Sequence, residues 1–156
     1  MPQHRHLRRL THVFIKNPVY FVTTCTRNRA RVLATAASSE VLIDEWRGAA
    51  QRHRWQIGRY VIMPDHVHFF ACPEPDSVSL VRFVGHWKEW TGKRLHREIG
   101  LLAAIWQPQF FDHVLRSTES YAEKWEYVRQ NPVRAGIVSA PDQWPYAGYI
   151  DFDEPM

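Results

Sequence analysis

Cysteine is scarce in this chain: Cys25 and Cys72 are the two present, each inside an apolar stretch. Two isolated cysteines build neither a disulfide framework nor a CxxC zinc pair, so packed, reduced thiols are expected. No apolar run approaches the ~20 residues that span a bilayer. The basic start MPQHRHLRRL is followed by no apolar segment of signal-peptide length. The composition therefore predicts a cytoplasmic protein with no membrane association. Internal repeats and low-complexity tracts are missing as well, which excludes solenoids and fibrous arrays. There is no carboxylate-rich cluster and no RNP-like aromatic motif. The first absence speaks against a metal-dependent hydrolase of small phosphates, and the second against RNA binding through a sheet of exposed aromatics.

What the chain does contain is basic charge and aromatic rings. Its 156 residues suit one domain over 1–156, with a basic arm at 1–15 and a short tail at 141–156. Hydrophobic residues make up 45% and charged residues 23%, an ordinary globular balance. The net charge is +4 and the pI about 9.3. Basic residues gather in the arm (Arg5, Arg8, Arg9) and in TRNRAR (Arg27, Arg29, Arg31). Aromatics reach 13%, including seven Trp. Such a surface suits nucleic acid, with charge for phosphates and rings for bases. A solvated basic face over an aromatic core accounts for the same counts. If DNA is the partner, association with the nucleoid follows.

Hydrophobic periodicity predicts the elements. VYFVTTCTR, Val19 to Arg27, reads as a strand. SSEVLIDEWRGAAQRHR reads as a helix capped by Ser38 or Ser39, with Val41, Leu42, Glu45, Trp46, Ala49 and Ala50 at helical spacing. Trp55 to Met63 and His66 to Cys72 read as a hairpin across the turn Pro64-Asp65. A second helix runs from Leu80 to about Leu95, and a fourth strand from Gln109 to Arg116. A third helix runs from Ser120 to Asn131, with Ser120 and Glu123 as a capping box and Pro132 as its stop. The order β-α-β-β-α-β plus a helix predicts an α+β fold: a ferredoxin-like split βαβ sandwich with an antiparallel sheet and helices on one face.

Two details carry chemistry. His66 and His68 alternate along a strand, so their side chains share a face with Cα atoms about 6.5–7 Å apart. Val67 and Phe69 point the other way, toward the first two helices. Two imidazoles so placed converge on one metal ion, or else are ordinary exposed strand histidines. Asp65 is a further ligand or a turn residue, and the turn is favoured. In the third helix, Tyr121, Trp125 and Val128 make an apolar stripe, and Tyr127 lies roughly 160° around from Trp125. Tyr127 instead shares a side with Asn131 at i+4 and Lys124 at i−3. A surface tyrosine with a helix-capping Asn131 is the plain alternative. Taken together, two imidazoles and an amide oxygen suit a divalent ion with open positions, and a hydroxyl on the amide's side suits attack on a phosphate it holds.

VIMPDHVHFFACP and YVRQNPVRAGIV resemble the two signature segments of the single-tyrosine HUH transposases, the insertion-sequence 200-like type. The resemblance is nearest to the REP-associated tyrosine transposases. YFVTTCTRNR, WQPQFFDHVLR and WPYAGY add to it, so it runs from about Tyr20 to Tyr149. It implies that His66, His68 and Asn131 bind Mg²⁺ or Mn²⁺ and that Tyr127 is the catalytic nucleophile on the third helix. It implies a single-stranded DNA endonuclease and strand transferase that acts on hairpin-forming palindromes through a 5′-phosphotyrosine link. Candidate DNA contacts are Arg27, Arg29, Arg31, Lys88, Lys124 and Arg134, the first three alternating along a strand end. His113 is a candidate general base, with a structural role favoured. Many relatives carry Asn where this chain has Asp65, which leaves the choice of metal open. The resemblance admits both a monomer and a homodimer. The reading of a different class is a non-catalytic nucleic-acid-binding protein on the same scaffold.

Overall fold

The computed structural model describes residues 18–153; the basic arm expected at 1–15 lies outside them. Five strands form one antiparallel sheet: β1 (Val19–Cys25), β2 (Trp55–Met63), β3 (His66–Pro73), β4 (Phe111–Leu115) and β5 (Ala147–Tyr149). Their order is β4-β1-β3-β2-β5. The first four strands thus take the 4-1-3-2 order of the split βαβ arrangement, and the fold is α+β, as expected.

Alternation along β3 divides its side chains between two cores. Val67, Phe69 and Ala71 face a cluster under helix α1 (Ala36–Arg47) and helix α3 (Leu80–Arg94). A short helix α2 (Ala49–His53) follows α1 across Gly48. In this core Trp46 stacks on Trp87 with centroids 4.9 Å apart, and both rings are buried. The opposite face of β3 carries His66, His68, Phe70 and Cys72. Helix α4 (Thr118–Arg129) covers it, burying Tyr121 and Val128 with Val61, Met63 and Phe70. Helices therefore lie on both faces, α1 and α3 on one and α4 on the other. Burial pushes the Cys72 thiol up to about 12, so it stays protonated.

Several boundaries differ from expectation for identifiable reasons. β1 stops at Cys25, and Arg27–Arg29 form a 3₁₀ turn in which Asn28 and Arg29 take left-handed backbone (φ 57° and 53°). Arg27, Arg29 and Arg31 consequently do not alternate along a strand. α1 is capped by Thr35, whose hydroxyl accepts the Ser38 N–H at 3.0 Å, while Ser38 and Ser39 are buried inside the helix. α4 is capped by Ser117 through the Ser120 N–H at 3.0 Å, one turn before the expected start. It ends at Arg129. Asn131 opens a separate helical turn, α5 (Asn131–Arg134), with Pro132 in its first turn. Proline has no N–H to bond the carbonyl of Val128, so the long helix cannot continue through it.

The segment expected as a tail at 141–156 supplies β5 and two buried rings, Trp144 and Phe152. A Cβ on Gly58 would lie 2.5 Å from the Phe152 ring, so only glycine admits that ring against β2. Phe152→Ala should lower stability by about 3 kcal/mol, the usual result of emptying a buried aromatic site. A denaturation midpoint equal to that of the parent chain would show that this segment does not belong to the core.

Candidate active site

β3 sets the two imidazoles side by side. Their centroids are 4.9 Å apart with planes nearly perpendicular, at 77°. Each ring engages the protein through Nδ1: His66 with Asp65 Oδ1 at 2.8 Å, and His68 with Thr23 Oγ1 at 2.8 Å. Thr23 stands directly opposite His68 in the β1–β3 ladder. Asp65 also takes a hydrogen bond from Arg29 Nε at 3.0 Å. Burial alone would raise the Asp65 pKa, but the bonds from His66 and Arg29 outweigh it and hold the carboxyl below its ordinary range. An ionised carboxylate only accepts, so the proton between Asp65 and His66 resides on His66 Nδ1. Of the two ring nitrogens, Nε2 is the one left without this partner. Asp65 is thus more than a turn residue, and both of its oxygens are occupied within the protein.

His68 stacks on Phe21 at 5.2 Å. Its pKa falls to about 3, first through burial and then through the charges of His66, Lys124 and Arg134. At neutral pH it is therefore uncharged, which is the form that ligates metals.

Helix α4 brings the other candidates to the same end of the sheet. Tyr121 packs on Phe70 with centroids 4.4 Å apart. Two turns on, Val128 shares a core with Val61 and Met63. Those two residues are the β2 partners of His68 and His66. Tyr127 is 63% exposed, off the buried stripe as its spacing predicts. The Arg134 guanidinium lies 3.9 Å from the centroid of its ring. Arg134 also donates to Asn131 Oδ1. Lys124 Nζ sits 5.1 Å over the Phe21 ring. A cleft of about 300 Å³ beside the phenol is lined by His113, Leu115, Glu123, Lys124 and Tyr127.

The remaining basic candidates are dispersed. Arg27 and Arg31 are exposed beyond the end of β1. Lys88 stands on α3, on the opposite sheet face, and donates to the Gln109 carbonyl at 3.1 Å. Sequence reasoning missed Thr23 at His68, the Arg29–Asp65–His66 chain, and the contact of Arg134 with both Tyr127 and Asn131. The first two depend on strand register and on a turn, which leave no local pattern. The third had a signal: Arg134 follows Asn131 at i+3.

Among the described residues no three His, Cys, Asp or Glu side chains gather as a metal site. A divalent ion here therefore needs a ligand of another type beside the imidazoles. The donor set fits one: two imidazoles with Nδ1 already engaged, and an amide oxygen from the turn after α4.

The paired imidazoles of β3 and the helix that carries Tyr127 stand on one face of the sheet. A family profile described as "Transposase IS200 like" matches residues 15–131, and the chain belongs to that family. The REP-associated tyrosine transposase of Escherichia coli (strain K12) is 30% identical over 137 residues, spanning 87% of this chain and 79% of that protein. A solved structure of a REP-associated tyrosine transposase bound to a REP hairpin has the same fold. Its TM-score is 0.70 at 24% identity, covering 83% of this chain and 75% of that one.

In the metal-free protein His68 should remain neutral at pH 5 and titrate near 3, as followed by ¹⁵N shifts of its ring. The unfolded chain protonates at about 6.5. His68 therefore contributes stability above that pH, and the contribution is lost as pH falls from about 6.5 toward 3. Titration of the native ring near 6.5 would contradict its burial.

Proposed function

We propose that this transposase is a metal-dependent single-stranded DNA endonuclease and strand transferase, acting on hairpin-forming palindromic DNA through a 5′-phosphotyrosine intermediate. One observation carries the proposal: Val128, the neighbour of Tyr127 on α4, shares a buried cluster with Val61 and Met63, the ladder partners of His68 and His66. His66 and His68 through Nε2, and Asn131 through its amide oxygen, would hold Mg²⁺ or Mn²⁺. When bound, the ion supplies positive charge against the scissile phosphate.

The chain's own residues do the rest. Tyr127 Oη attacks phosphorus and forms the phosphotyrosine bond as the P–O3′ bond breaks. The phenol proton departs and the 3′-oxygen gains one, so the free end is a 3′-hydroxyl. Reversal rejoins ends. Arg134 lies over the ring of Tyr127 and Lys124 lines the same cleft, so both cations stand where a phosphate attacked by the phenol would come. His113 lines the same cleft. Arg134 bonds Asn131 Oδ1 through one guanidinium nitrogen, and a phosphate is a suitable further partner for the rest of its fork.

A hairpin substrate is supported by the relative whose solved structure holds a REP hairpin. A single strand allows the in-line geometry that a duplex backbone resists. Arg27, Arg31, Lys124 and Arg134 would meet its phosphates. The whole span 1–156 acts as one transposase domain, and the tyrosine works on its own chain's histidines, whether the protein is a monomer or a homodimer. No described helix is long and apolar enough to cross a membrane.

Tyr127→Phe should abolish the covalent band that labelled hairpin DNA forms with the protein on a denaturing gel in Mn²⁺, with hairpin affinity within about threefold of the parent chain. A persisting adduct refutes the nucleophile. Retention of DNA by the parent protein without any adduct would favour a non-catalytic binder. Replacing both histidines by Ala should remove cleavage and Mn²⁺ dependence together; cutting that survives a chelator would contradict the role of the ion.

A further inference from the structure

We infer that Asp65, held in place by Arg29, is a positioning residue that commits His66 to a single tautomer and direction at the metal site. This rests on the metal-dependent mechanism above. The Asp65 carboxylate is divided between two partners, with Oδ1 2.8 Å from His66 Nδ1 and Oδ2 3.0 Å from Arg29 Nε. Its side chain is 17% exposed. A carboxylate accepts from His66 and cannot donate to it, so Nε2 alone is left to ligate. An amide at position 65 would lack that rule, because its NH₂ donates to the opposite tautomer equally well.

The backbone under Asp65 is fixed at two points. Its carbonyl accepts the N–H of Thr26 at 2.9 Å, and Thr26 is fully buried. The Pro64 carbonyl accepts the Leu33 N–H at 3.0 Å. The hairpin turn is thus tied to the chain that leaves β1, and the carboxylate cannot swing away with its turn.

Arg29 points to the same use. Its backbone is left-handed, at φ 53°, directly after a left-handed Asn28. An arginine there is unfavourable, and an ion pair whose guanidinium is 55% exposed returns little stability. The turn instead delivers Nε to Asp65 Oδ2. It thereby keeps that oxygen from turning to the ion as a ligand, so the carboxylate works through His66. This is the arrangement by which a partner behind a ligating histidine sharpens metal affinity.

The test uses the full chain without DNA. Mn²⁺ binding is read from the EPR signal of free Mn²⁺, and the His66 tautomer from long-range ¹H–¹⁵N spectra of the metal-free protein. The parent chain should show His66 as the Nδ1–H form. Asp65→Ala should weaken Mn²⁺ binding roughly 10- to 100-fold and shift His66 toward Nε2–H, with adduct formation recovering at high Mn²⁺. Arg29→Ala, at an exposed site, should weaken binding several-fold and keep the tautomer. Unchanged affinity in Asp65→Ala overturns the inference. So does lost affinity with an unmoved tautomer, because Asp65 would then be a ligand itself. Unchanged affinity in Arg29→Ala removes the arginine from it. A parent chain that binds Mn²⁺ no better than His66→Ala refutes the metal mechanism instead, and the tautomer spectra still decide what Asp65 does to the ring.

Discussion

The contact of Tyr121 with Phe70 determines where the chemistry on this face falls. A helix advances about 1.5 Å per residue and a strand about 3.3 Å. Once Tyr121 is seated on Phe70, the two turns to Val128 cover about 10 Å, close to the span of β3 from Phe70 back to the histidines. The core agrees with this direction, since Val128 belongs to the same buried cluster as Val61 and Met63, the ladder partners of His68 and His66. The end of α4 and the histidine end of β3 are thereby brought to the same end of the sheet. The second anchor is the Tyr121 hydroxyl, which donates to the Asp153 carbonyl at 2.9 Å. The last described residues thereby hold the first turns of the helix bearing the proposed nucleophile.

The two sheet faces use the same strands for different ends. Under α1 and α3 the packing is aromatic and continuous, from Trp46 and Trp87 through Phe69 and Phe83. That face supplies rigidity. On the α4 face the apolar cluster runs along β2 to Met63 but stops at Phe21 on β1 and at Phe70 on β3, where polar groups begin at Thr23, His66 and His68. Partial burial there keeps His68 neutral, and full exposure would not. The site lies at the edge of the hydrophobic cover, where a ring is dry enough to lose its proton and open enough to meet a substrate.

Much of this was legible from residue patterns because it rests on short periods. β-branched and aromatic runs placed β1, β2 and β3, and alternation alone put His66 and His68 on the face opposite Val67. The helical period excluded Tyr127 from the buried stripe, and the structure leaves it exposed. Other features depend on what no period encodes. Asn28 and Arg29 adopt left-handed backbone, so an apparent extension of β1 turns away and Arg29 meets Asp65. Ala147–Tyr149 is too short to show alternation, and it becomes a strand only because the edge of β2 is there to pair with. Thr23 meets His68 through register between segments 45 residues apart. Asn131 looked like the end of a helix, and Pro132 made it the start of another turn.

The positive charges around His68 serve two requirements that would otherwise conflict. A ligating histidine must be neutral, yet a site for a phosphodiester must be positive. Lys124 and Arg134 disfavour the imidazolium of His68 by repulsion, after burial has already done most of that work. The same charges attract a phosphate. Neither cation is tied to a carboxylate among the described contacts: Lys124 lies over Phe21, and Arg134 lies over Tyr127 and bonds an amide. An aromatic face or an amide holds a cation without neutralising it, so the field at the imidazoles stays positive. Carboxylates in the same places would cancel that field, raise the His68 pKa and repel the substrate. The carboxylate that bonds His66, Asp65, is already matched by Arg29, and so it orients His66 without reversing the sign of the site.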